Sequence, residues 1–191
     1  MPRCRVVSHA LLIFFITAFI YLSGSSHSVA MAQSAEPAAY ANIVSPVDET
    51  LGSAKFFPVA DGVKIELDVI QQVPGLHAVR ILSIGKCEGP DFTSAGPPFI
   101  PSTKEEASTN AAGPGASDLP NVEAGLDGHL RGTIVAKGYT LGEGPNSLFH
   151  PGGTAIVLDE NADDHRIEGN GNSGSHVACG VIKKGSGSAG P

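Results

Sequence analysis

The stretch GLHAVRILSIGKC, residues 75–87, carries aliphatic and β-branched residues between flanking glycines, which predicts a strand from His77 to Ile84. A period of two puts Ala78, Arg80, Leu82 and Ile84 on one face and His77, Val79, Ile81 and Ser83 on the other. One face therefore holds a mid-strand charge. The segments GSAKFFPV (52–59) and GVKIELDVI (62–70) are strand-like too, and the turn Ala60-Asp61-Gly62 between them predicts a hairpin. Strand signals return at TIVAKGYTL (133–141), TAIVL (154–158) and HVACGVI (176–182). Glu88 to Gly132 is rich in Gly, Pro, Ala, Ser and Asn with little periodicity, and a connection that long inside a domain points to function. Residues 33–41 read as a mobile, Ala-rich lead-in and 185–191 as a flexible tail. No stretch carries a three-turn helical pattern. Short strands with long connections predict an all-β sandwich or Greek-key barrel.

The ends change the compartment. Arg3 and Arg5 precede the apolar run ALLIFFITAFIYL (10–22), and small residues follow up to Ala30-Met31-Ala32. This is the layout of a secretory signal peptide, residues 1–32, with cleavage after Ala32. The run falls short of the ~20 residues a membrane span needs, so no span is expected after cleavage. Removing the segment takes two arginines and no acid, so the net charge goes from −7 to −9. Such an acidic chain is not expected to bind nucleic acid or an anionic membrane. Removal also takes Cys4, and the remaining pair, Cys87 and Cys179, reads most simply as one disulfide in an exported, periplasmic or secreted protein.

Four blocks add a family resemblance: GLHAVRILSIGKC, DFTSAGPPFIP (91–101), GASDLPN (115–121) and DENADDHRIEGNGNSGSHVACGVI (159–182). Together they resemble a copper/zinc superoxide dismutase of the bacterial secreted type, over residues 42–184. The resemblance implies an eight-stranded Greek-key β-barrel with long loops and a Cys87–Cys179 bridge from the long loop to the last strand.

The same resemblance implies copper and zinc ligands, and the residues at those positions depart from it. The first two copper histidines correspond to Arg80 and Leu82, the bridging histidine to Pro98, and the last copper histidine to Asp159. At the zinc positions Gly115 replaces a histidine, no histidine stands near Glu106, and Asp118 keeps an aspartate. Asp163 matches an aspartate that orients one copper and one zinc histidine. His176 replaces the arginine that guides substrate. Copper that cycles between oxidation states wants imidazole ligands; arginine, leucine and proline offer no lone pair for it. No metal cofactor and no catalytic residue are therefore expected. Arg80 and Asp159 should instead converge as an ion pair in the former copper position, with Leu82 and Pro98 packing beside it.

The remaining histidines take plain roles. His77 should tie loop backbone together, and His129, His150 and His165 fall in turn-like surface contexts. Glu105, Glu106 and Asp118 are expected to be solvated loop carboxylates.

Three functions follow. The first is an exported, non-catalytic barrel that binds an unknown protein or small molecule. The second is a superoxide dismutase with a rearranged metal site. The third is a copper-handling protein, for which the C-x-x-C motif of that branch is missing. The sequence leaves the choice between monomer and homodimer open.

Overall fold

The computed structural model describes residues 36–101, 119–163 and 173–185. The signal segment, Cys4, Glu105, Glu106, Gly115, Asp118, His165 and the tail beyond residue 185 lie outside the described residues.

Among the described residues ten strand segments follow in order: β1 Ala39–Val44, β2 Thr50–Val59, β3 Gly62–Val69, β4 Gly75–His77, β5 Val79–Leu82, β6 Val122–Ala124, β7 Leu130–Lys137, β8 Ala155–Asp159, β9 His176–Val181 and β10 Lys183–Lys184. The only described helical piece is a 3-10 turn, Thr93–Ala95. Taking β4 with β5, and β9 with β10, as interrupted strands gives eight.

Every named strand pairing is antiparallel, in the order β4-β6-β7-β3-β2-β1-β9-β8-β5, with β10 beside β1. The two ends of that order, β4 and β5, are halves of the GLHAVRIL stretch, so the sheet closes on itself at Ala78. There the backbone changes partners: Ala78 N–H donates to Asn161 O at 2.9 Å, and Asp159 N–H donates to Ala78 O at 3.0 Å. The barrel is nearly closed: among the described residues β7 meets β6 only at Leu130↔Ala124, so the rest of that edge of β7 has no strand beside it.

The predicted hairpin is β2–β3, in continuous register from Gly52↔Val69 to Val59↔Gly62. Alternation fixes what each face meets. Val63, Ile65, Leu67 and Val69 of β3 point into the main core with Phe56, Leu130 and Ile134, while Lys64, Glu66 and Asp68 point out. At about 25 cal/mol per Å² of apolar surface, this inner layer is the chief stabilising term.

Two expectations are corrected. The lead-in is not mobile throughout, because β1 begins at Ala39 and buries Ala39 and Ala41 completely. Alanine has weak strand propensity, but a side chain this small fits where β1 packs into the nearly closed barrel. The long connection also holds structure of its own: the 3-10 turn, β6, and the start of β7 at Leu130.

β5 and β8 are buried on both faces, which is what breaks the simple alternation. Val79, Ile81, Ile156 and Leu158 face the main core. Leu82, Ala155, Val157 and Cys179 face outward into a second cluster capped by Phe92 and Ala95. The cap is held by the Cys87–Cys179 disulfide, with Cα atoms 5.7 Å apart. Arg80 thus lies on the outer, loop-covered face rather than in the barrel interior.

Candidate functional site

Arg80 stands opposite Val157 across β5–β8. One residue pair along β8–β9 the register slips between Leu158 and Asp159, so that Asp159 pairs with His176. Such an irregularity re-aims a side chain, and here it sets the imidazole beside the carboxylate. The neighbouring segment is brought in by backbone bonds from Glu160 N–H to Ser175 O and from Asn161 N–H to Ser173 O, 2.9 and 2.8 Å. Gly174 makes that approach feasible: its φ is +80°, and a Cβ there would sit 2.8 Å from Asn161 Nδ2.

The result is a cluster of five side chains. Arg80 Nε lies 3.2 Å from Asp159 Oδ2, an ion-pair contact whose angle does not make a hydrogen bond. The second terminal nitrogen of Arg80 donates to Asp163 Oδ2 and to Ser173 Oγ, both at 2.8 Å. Ser173 Oγ–H donates in turn to Asp159 Oδ2 at 2.6 Å. His176 Nδ1 meets Asp159 Oδ1 at 2.5 Å. Asn121 fixes Asp163 by its backbone, accepting from Asp163 N–H at 2.9 Å and donating to Asp163 O at 3.1 Å.

Burial sets the energetics. The Asp159 side chain is 1 % exposed and that of Asp163 8 %, against 17 % for Arg80 and 26 % for His176. Carboxylates this deep need charge-assisted partners, and each has one in the guanidinium. One guanidinium faces two carboxylates, and the imidazole of His176 completes the group at its exposed lip.

Arg80 and Asp159 are thus brought together, but in a wider network than a pair. The shorter Arg80 contact goes to Asp163, and Ser173 and Asn121 carry no signal that residue type or spacing could have raised. Pro98 sits opposite Leu82 across an isolated bridge, yet it is exposed and does not bury the pair as expected. Leu82 is buried in the outer cluster.

Cycling copper does not fit these residues. Of the four positions that the resemblance assigns to it, Leu82 and Pro98 offer no side-chain donor atom and Arg80 is a cation. Asp159 already spends both oxygens on Arg80, Ser173 and His176. Among the described residues no three or more His, Cys, Asp or Glu side chains are arranged to hold a metal ion.

His77 lies on the inner side, where its ring spans two backbone segments: Nδ1 is 2.7 Å from Asp159 O and Nε2 2.7 Å from Val73 O. It therefore ties the β3–β4 connection to the end of β8, beneath the charged cluster. Replacing His77 with alanine is expected to cost about 2–4 kcal/mol, because a ring N–H that donates to buried backbone carbonyl oxygen is lost and a cavity opens. Urea unfolding of the variant checks this.

Two other histidines are less plain than expected. His150 is half-buried; its ring packs 4.7 Å from Phe99, its Nδ1 lies 2.9 Å from Pro151 O, and its Nε2 is buried without a hydrogen bond. His129 contacts Asp68 at 2.5 Å on the outer sheet face, with Arg131 3.7 Å away. The hydrogen bond from His129, aided by its charge and that of Arg131, holds the Asp68 carboxyl below its ordinary range. A lowered folded value adds stability above the ordinary carboxylate pKa, and that stability is lost as pH falls through the folded one. Asp68 is exposed, so the gain is slight. His129→Ala should raise the Asp68 midpoint in a carbon-detected NMR titration.

A nearly closed antiparallel barrel, with a disulfide-anchored cap over an apolar part of its outer face and a charged cluster on the same face, defines the class of protein. The copper/zinc superoxide dismutase (SODC) profile matches residues 50–182, so the chain belongs to that family. It is 38% identical over 146 residues to superoxide dismutase [Cu-Zn] 1 of Aquifex aeolicus, covering 75% of this chain and 86% of that one. A SOD-like protein from Bacillus subtilis matches structurally with TM-score 0.67 and 31% identity, over 74% of this chain and 96% of that one. A double mutant of a SOD-like protein from Bacillus subtilis, with a tyrosine and a proline each replaced by histidine, matches with TM-score 0.67 and 32% identity, over 74% and 95%.

Proposed function

We propose that this chain is an exported, non-catalytic member of the copper/zinc superoxide dismutase family that works by binding a protein or small-molecule partner. The observation that carries the reading is the Arg80 guanidinium, which stands where the family places a copper ligand and is neutralised by Asp159 and Asp163. A metal cation added beside a guanidinium would meet repulsion, and the carboxylates that could attract it are already engaged. Export is supported by the N-terminal sequence pattern and by the disulfide, which persists in oxidising compartments. A SOD-like relative with histidine introduced in place of proline and tyrosine is in keeping with members that lack some histidines.

One feature favours the rearranged-site enzyme instead: the adjacent His176–Asp159 pair, two groups that can ligate metal. Stopped-flow decay of superoxide after incubation with copper and zinc separates the two readings. No acceleration is expected, and a weak rate lost on washing with chelator indicates adventitious metal. A copper-dependent rate near the diffusional range of about 10⁸–10⁹ M⁻¹s⁻¹ overturns the non-catalytic reading.

A further inference from the structure

The antiparallel register places three connections at one pole of the barrel: the β1–β2 turn (45–49), the β3–β4 connection (70–74) and the β6–β7 turn (125–129). They touch in sequence, since Ile70 N–H donates to Leu51 O and Gln72 N–H donates to Gly128 O, both at 2.9 Å. These connections, with the start of β4, carry aliphatic side chains that face water: Val47 75 % exposed, Val73 69 %, Leu76 52 %, Ile70 44 % and Leu126 98 %. Single exposed aliphatics need no explanation, but five gathered on adjoining turns make a patch, and such patches mark interaction sites.

The turns are held rigidly. Ser45 Oγ accepts from the N–H groups of Val47 and Glu49, and Gly128 N–H donates to Gly125 O at 2.9 Å. Gly128 has φ +74°, and a Cβ there would lie 3.0 Å from Gln72 O, so glycine is what lets the two loops pack together. Pro74 stiffens the connection between Val73 and Leu76. A patch displayed on fixed turns gives up little conformational entropy on binding.

Its rim is of one sign. Asp48, Glu49, Glu123 and Asp127 are all exposed, and residues 45–49, 70–76 and 123–128 contain no lysine or arginine. The basic side chains closest in sequence, His129 and Arg131, are turned on Asp68. We infer that this pole docks a partner protein through a segment with aliphatic anchors flanked by lysine or arginine. The acidic rim selects against an anionic membrane and against a second copy of the same pole, which would bring like charges together. The inference gives the binding reading its surface, yet its test does not involve copper, so either can fail without the other.

The test titrates the ¹⁵N-labelled protein with a synthetic amphipathic peptide of leucine and lysine, and with its leucine–glutamate counterpart. Shifts in amides confined to 45–49, 70–76 and 123–129 are expected for the lysine peptide alone. Val73→Ser with Leu126→Ser should weaken that binding about tenfold, while the melting temperature stays put because both side chains are exposed. Shifts spread over the whole acidic barrel, or binding indifferent to the two substitutions, overturn the inference. So does capture of this pole by phosphatidylserine vesicles, or self-association through it in sedimentation.

Discussion

Asp159→Ala is expected to be the most damaging single substitution in the outer-face cluster, at about 3–5 kcal/mol. The carboxylate is 1 % exposed and meets Arg80, Ser173 and His176 at once. Its removal leaves the guanidinium with Asp163 as its one carboxylate partner and takes away the acceptor of the buried Ser173 hydroxyl proton. At about 2–4 °C per kcal/mol for a domain of this size, the melting temperature should fall by about 6–20 °C. Two comparison variants show whether the cause is electrostatic. Asp159→Asn keeps shape and some hydrogen bonding, so it should lose less. Arg80→Met combined with Asp159→Leu removes both charges and should recover much of the loss, since a buried pair replaced together by apolar residues is often near neutral. A double variant no better than Asp159→Ala would show that packing, and not an unpaired charge, sets the cost.

Reducing the Cys87–Cys179 bridge should have a comparable effect. The two residues are 92 apart in sequence, and the loop-entropy estimate for a closure of that length is about 4–5 kcal/mol. Cys179 is fully buried, and Cys87 packs against the cluster of Leu82, Phe92, Ala95, Ala155 and Val157. Opening the bridge therefore also loosens the cap over the outer face of β5 and β8. Thermal unfolding with and without reductant checks the magnitude. After removal of residues 1–32, thiol titration of denatured, unreduced protein should find none; two reactive thiols would count against the bridge.

Much of this was readable in the chain. The β2–β3 hairpin shows because its residues alternate between core and water, whereas β9 shows through the β-rich composition of HVACGVI. The barrel type came through the four blocks of family resemblance, which carry spacing that composition does not, and the disulfide came both through them and through the two cysteines left once residues 1–32 are removed. What escaped has physical causes. β1, AYANIV, turns two small alanines inward at its start, and these pack a tight closure without signalling a strand. β6 is only three residues long and sits in a Gly- and Pro-rich stretch. The inward or outward aim of Arg80 was not decidable from period two, because both faces of β5 are covered and the outer cover comes from distant loops. The approach of Arg80 and Asp159 followed from their shared place in the resemblance. The hydrogen-bonding contribution of Ser173 did not, because it depends on a glycine with positive φ and a slipped register that place residues from three segments together.

The most direct test of the central claim is copper content, measured by mass spectrometry on protein expressed with copper and zinc supplied and then washed with chelator. The position that the resemblance assigns to copper carries Arg80, which pairs with Asp159 and Asp163, so the expected result is copper far below stoichiometric. One tightly held copper per chain, surviving the chelator, would contradict it.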